Sequence, residues 1–248
     1  MYKKIFNLLI LFFLLQINTT IALGANEEIN IDAKAYFLID AQTGRVLAEK
    51  NSDEKRAMAS TTKIMTAIIA LEKGDLNSIV KVSPKAAAVE GSSFGLKSGD
   101  ELALEDMLYG LLLPSGNDAA IAIAEHIAGS VENFASLMNY KALDIGAYDT
   151  QFKNPHGLDE PGHYTTARDL AKIAQYAWNI PKFREIVQTK EKSIQKENFT
   201  RNVFNTNRLL WSFEGANGIK TGYTGKAGSC LVASANKNGL QLISVVLG

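Results

Sequence analysis

Ser60 opens a segment, residues 61–73, in which Ile64, Met65, Ala67, Ile68, Ile69 and Leu71 cover most of the circumference of a helix, and Gly74 closes it. A helix apolar nearly all round offers no face to water, so the rest of the chain has to wrap it. The chain has the material for this, with 248 residues of which 46% are hydrophobic and 21% charged. That is one large domain or two small ones, and it excludes a disordered or low-complexity chain. Lys+Arg and Asp+Glu are 26 each. A balanced charge argues against a nucleic-acid binder, which needs a basic surface to displace phosphate counterions. Cys230 is the single cysteine, which removes internal disulfides, thiolate zinc sites and redox dithiols. It reads as a small core residue on a strand.

The elements around that helix fall into an order. Residues 35–40 (AYFLID) and 45–49 (RVLAE), joined by Ala41-Gln42-Thr43-Gly44, read as a hairpin. Gly74 is placed as the cap of the apolar helix. Helices are expected over 104–113, 117–128, 131–145 and 165–178, with another starting at Pro181. Short strand 218–221 is followed by strands 229–235 and 240–247, with the turn at residues 236–239 ending in Asn-Gly. The fold class expected is α/β (α+β): an antiparallel sheet made from both chain ends, about 31–58 and 215–248, flanked by helices and enclosing a helical subdomain at about 75–190.

The first residues read as an address. Lys3 and Lys4 precede an apolar run from Ile5 to Leu15, and small residues follow from Ala22 to Ala25. This is the pattern of a secretory signal, expected at 1–25, with the run shorter than the roughly 20 residues a spanning helix needs. The domain proper is then 26–248, exported across the cytoplasmic membrane to an extracellular, cell-wall or periplasmic location.

Three short motifs carry chemistry. Ser60-Thr61-Thr62-Lys63 is an S-x-x-K, a pattern that also occurs at Ser52, Ser193 and Ser234. Only Ser60 stands at the mouth of the buried helix, where Ser and Lys lie one turn apart on one face. A lysine in an apolar setting loses its proton readily and can act as a base. The plain alternative is a serine N-cap beside a surface lysine. Ser115-Gly116-Asn117 offers a hydroxyl to pass a proton and an amide to hold a carbonyl. Lys220-Thr221-Gly222 lies on a strand, where the Lys and Thr could bind an anionic terminus and the Gly would let a ligand backbone come close. In this order the three form the set found in β-lactamases and penicillin-binding proteins. His126, His156 and His163 have no H-E-x-x-H spacing and read as structural; no metal or other cofactor is expected.

The chain resembles low-molecular-mass penicillin-binding proteins of the D-alanyl-D-alanine carboxypeptidase family, serine peptidases of the S11 type. The similarity runs from about Ile31 to Gly248 and rests on residues 35–51, 58–67, 95–120, 154–159, 164–171 and 217–235. The resemblance implies a β-lactamase/transpeptidase-like fold and a peptidoglycan stem peptide ending in D-Ala-D-Ala as substrate. Ser60 would attack, Lys63 would take its proton, and Ser115 would pass a proton to the leaving D-alanine. Asn117 would hold the substrate amide, and Lys220 and Thr221 would bind the terminal carboxylate. The backbone N–H groups of Ser60 and Tyr223 would form the oxyanion hole. β-Lactams would acylate the same serine. Tyr223 stands where many relatives have His, and no E-x-x-L-N segment precedes Lys220, so efficient β-lactamase turnover is not expected. An endopeptidase or transpeptidase on the same site, or an inactive penicillin-binding fragment, are the alternatives. Relatives continue past the last strand into a helix, so the domain is expected to be cut short at its C-terminus.

Overall fold

Alternating apolar residues at Ala35, Phe37 and Ile39 put one face of β1 (Ala35–Asp40) into the core, while its partner β2 (Val46–Lys50) is an exposed edge strand. The chain is described by a computed structural model over residues 31–196 and 199–248; the leader expected at 1–25 lies outside the described residues. Asp40 closes the β1–β2 turn by accepting from the N–H groups of Gln42 and Thr43, and Gly44 takes the left-handed conformation (φ 73°) that the turn requires.

The other three strands of the sheet come from the chain's end: β7 (Ala216–Thr224), β8 (Gly228–Lys237) and β9 (Leu240–Leu247). The order is β2-β1-β9-β8-β7 and every pairing is antiparallel. Tyr36 pairs with Val246, and Lys220 with Val232. This is the expected sheet made from both ends. β7 is longer than the expected 218–221. Asn238 (φ 54°) and Gly239 (φ 84°) alone make the β8–β9 turn, so the strands run further into it than expected.

The apolar segment forms α1 (Lys63–Lys73), with Ile64 through Ala70 fully buried. Packed around it are α2 (Leu104–Leu112), α3 (Asn117–Ala128), α4 (Val131–Ile145), α5 (Ala167–Trp178) and α6 (Pro181–Gln188). α5 lies on β1 and β9, and α6 lies on β7. Thr166 caps α5 by accepting from Asp169 N. The helix therefore starts two residues later than expected, because Thr165 bridges to Arg56 instead. Gly74 does end α1, but in an extended conformation (ψ 152°). What demands glycine there is space, since a Cβ would sit 2.3 Å from Leu104 Cδ2.

The middle of the chain is not wholly helical. β3 (Ile79–Lys81) pairs with β4 (Glu101–Ala103), and β5 (Glu191–Lys196) with β6 (Phe199–Phe204). These strands are short or mostly polar, which hides their period. Among the described residues no helix is long and apolar enough to cross a membrane. Cys230 is buried on β8, and burial pushes its thiol pKa up, in keeping with a core residue.

Candidate active site

Ser60 sits in a 3₁₀ turn, Ala59–Thr62, that leads directly into α1. The residue before it, Ala59, is held at φ 48°, a conformation that costs a residue with a Cβ about 1–2 kcal/mol. No side-chain cap is spent here, so the Ser60 hydroxyl is not an N-cap and faces Lys63 Nζ at 2.9 Å. Lys63 is fully buried and has two further partners, Asn117 Oδ1 at 2.7 Å and the His156 carbonyl at 2.8 Å.

The chemistry of those partners decides what Lys63 can do. Asn117 Nδ2 donates to the Glu90 carbonyl at 2.6 Å, which fixes the amide with its oxygen toward Lys63. Asn117 Oδ1 and the His156 carbonyl can only accept. Ser60 Oγ can accept or donate. A neutral Lys63 has two N–H bonds for the two obligate acceptors, and its lone pair is left facing Ser60. Burial first, and the Lys220 charge second, lower the Lys63 pKa well below the usual range, against an opposing pull from Asp118.

Ser115 ends the loop before α3. It too is in the left-handed region (φ 67°), and its Oγ is buried with no hydrogen-bond partner among the described residues. An unpaired buried hydroxyl is costly, and such groups mark places built for something other than stability. Lys220 on β7 is 1% exposed and donates to its neighbour's carbonyl, Thr221 O, at 3.0 Å. Burial lowers its pKa to about 7. Thr221 Oγ1 lies 2.7 Å from Thr206 Oγ1. Gly222 does allow a close approach, but by the turn of Ser60: a Cβ there would be 2.9 Å from Ser60 N. β7 is thus drawn tight against the serine. Tyr223, one residue on, is 73% exposed.

The three motifs therefore converge from three places: the 3₁₀ turn and the start of α1 bring Ser60 and Lys63, the α2–α3 loop and the start of α3 bring Ser115 and Asn117, and β7 brings residues 220–223. Several supporting groups lay outside the motif reading. Asp118 is 2% exposed and accepts from the backbone N–H groups of Phe94, Gly95 and Leu96 and from Ser93 Oγ. It holds residues 93–96 beside Asn117, and its signal was its place directly after Asn117. His156 contributes its carbonyl, a role no side-chain pattern announces. Its ring accepts from Leu158 N, and burial with the Lys63 charge lowers its pKa to about 3. Arg168 pairs with Glu49 and Asp53, away from this cluster.

A family model described as D-alanyl-D-alanine carboxypeptidase matches residues 22–248. The chain is 42% identical over 228 residues to D-alanyl-D-alanine carboxypeptidase DacF of Bacillus subtilis, covering 89% of this chain and 58% of that protein. It is 42% identical over 235 residues to DacC of Escherichia coli, covering 90% and 58%. The chain thus spans a little over half the length of these two curated relatives. Among solved structures, the D-alanyl-D-alanine carboxypeptidase DacD of Francisella tularensis superposes with a TM-score of 0.83 at 33% identity, covering 89% of this chain and 66% of that one. A variant of a Streptomyces DD-transpeptidase superposes with a TM-score of 0.83 at 35% identity, covering 88% and 91%.

Proposed function

The chain belongs to the D-alanyl-D-alanine carboxypeptidase family of peptidases, and from that premise we propose that it is an exported serine D,D-carboxypeptidase that removes the terminal D-alanine of peptidoglycan stem peptides. The observation that carries the proposal is the Lys63 geometry: a fully buried amine 2.9 Å from Ser60 Oγ whose two other partners, Asn117 Oδ1 and the His156 carbonyl, can only accept.

In this reading Lys63 takes the Ser60 proton as Oγ bonds to the carbonyl carbon between the two D-alanines. The negative charge that develops on the carbonyl oxygen is met by the N–H groups of Ser60 and Tyr223. Asn117 Nδ2 keeps one N–H beyond its bond to Glu90 O and offers it to the substrate amide oxygen. The C–N bond then breaks, and Ser115, whose hydroxyl has no partner among the described residues, relays the proton now on Lys63 to the departing amine, which returns Lys63 to its neutral form. Lys220 supports that transfer electrostatically and, with Thr221, holds the terminal carboxylate. Water, losing a proton to Lys63, bonds to the ester carbon; the bond to Ser60 Oγ breaks, and Lys63 hands the proton back to Oγ. A β-lactam carries an amide and a carboxylate in the same relation and stops at the ester. The similarity of a DD-transpeptidase over 91% of its length supports a second reading, in which an amine replaces water as acyl acceptor.

The test is incubation of the purified protein with a fluorescent penicillin, with Ser60→Ala alongside, followed by mass spectrometry. A covalent adduct on Ser60 is expected, with none in the variant. D-Alanine release from a pentapeptide, against transfer to an added amine, separates the two readings. A folded protein that forms no adduct would overturn both.

A further inference from the structure

We infer that His163, acting through Thr62, sets the orientation of the peptide that joins Ala59 to Ser60, and so aims the Ser60 N–H; this rests on the reading of that N–H as an oxyanion donor. His163 lies far from Ser60 in sequence, in the segment before α5, and it is 5% exposed. The backbone N–H of Lys153 donates to its Nδ1 at 3.0 Å. Nδ1 therefore carries the lone pair, and in a neutral ring the proton is on Nε2. Nε2–H then donates to Thr62 Oγ1 at 2.9 Å. With that lone pair occupied, the Thr62 hydroxyl sends its own proton to the Ala59 carbonyl, 2.8 Å away.

The Ala59 carbonyl and the Ser60 N–H are the two ends of one planar amide and point in opposite directions. Whatever fixes the oxygen fixes the N–H. The oxygen is held from two sides. Thr62 donates to it, and Gly157 is packed so close that a Cβ there would lie 1.9 Å from it. Ala59 at φ 48° is a strained position that would relax without such support. Phe152 meets the His163 ring edge-on, with centroids 5.9 Å apart, and holds its plane. Burial lowers the ring's pKa to about 4, so it stays neutral across the neutral range and the donor order is preserved. His163 is thus a positioning residue. It touches no reacting atom.

The experiment compares the wild-type protein with His163→Phe, His163→Gln and Thr62→Val. Each is acylated with penicillin, and three quantities are read: the acylation rate, the infrared stretch of the ester carbonyl in the adduct, and the melting temperature. His163→Phe and Thr62→Val are expected to slow acylation by about 10- to 100-fold, less than or up to the loss of a whole oxyanion donor. In both, the ester carbonyl band is expected to move to higher wavenumber, because the carbonyl is less strongly hydrogen-bonded. His163→Gln is expected to stay within about threefold of wild type with an unmoved band, since a glutamine can accept from Lys153 N and donate to Thr62. If His163→Phe does not fold, Thr62→Val, nearly the same shape as wild type, carries the test. Wild-type rates and an unmoved band in Thr62→Val, whatever its melting temperature, would overturn the inference and leave the Ser60 reading intact. A folded wild-type protein that forms no adduct on Ser60 would overturn the oxyanion reading and this inference together.

Discussion

Replacing Lys63 by methionine is expected to slow β-lactam acylation of Ser60 by about 10³-fold, within the range that loss of a general base produces. Methionine keeps an unbranched, buried side chain but has no lone pair positioned to take the serine proton. The same experiment carries a pH signature. Only the neutral amine can accept the proton, and burial together with the Lys220 charge lowers the Lys63 pKa well below its ordinary value. The wild-type acylation rate should therefore rise with pH as Lys63 loses its proton and then level off. In Lys63→Met that rising limb should vanish from whatever rate remains. Rate constants from a fluorescent penicillin across a pH series would show it, with a thermal melt to confirm a folded variant. Acylation by Lys63→Met at the wild-type rate would remove Lys63 from the mechanism.

The second large effect concerns stability. Asp118→Ala is expected to destabilise the fold by about 3 kcal/mol, because each buried donor left without its acceptor costs roughly 1–3 kcal/mol. The carboxylate accepts from Phe94 N at 2.8 Å, Gly95 N at 2.9 Å and Leu96 N at 3.1 Å, as well as from Ser93 Oγ. Alanine leaves the buried N–H groups of Phe94 and Leu96 without their acceptor, while Gly95 N keeps its second acceptor, Ser93 Oγ. For a domain of this size the melting temperature should fall by about 10 °C. Acylation should fall as well, because residues 90–96 also hold Asn117: its Nδ2 donates to Glu90 O and its N–H to Ser92 O. A melt within 2–3 °C of wild type, roughly 1 kcal/mol, would show that the loop is held by other contacts.

Much of this protein could be read in advance wherever one residue type has one physical use. The helix Asn117–Ala128 ends at Gly129 and the helix Val131–Ile145 at Gly146, both glycines in the left-handed conformation. The buried helix follows from apolar residues on every side, and the β8–β9 turn from Asn-Gly. Both short antiparallel pairs, β3–β4 and β5–β6, were missed. β5 and β6 are largely polar strands with few buried residues, so their alternation does not stand out.

For the site, motif and order alone name the candidates: Ser60, Lys63, Ser115, Asn117 and the 220–223 strand segment. Local pattern reaches no further, because it speaks of neighbours along the chain. It took the folded chain to reveal which serine follows a strained residue, that two acceptors from distant segments flank Lys63 Nζ beside Ser60, and that Gly222 makes room for the Ser60 turn. The fold also reveals that Asp118, the His156 carbonyl and His163 belong to the same assembly. These are matters of distance, burial and donor direction between segments tens of residues apart. The physical reason is that a hydrogen-bond partner or a desolvated charge is a property of a place, and the place exists only once the helices have closed around α1.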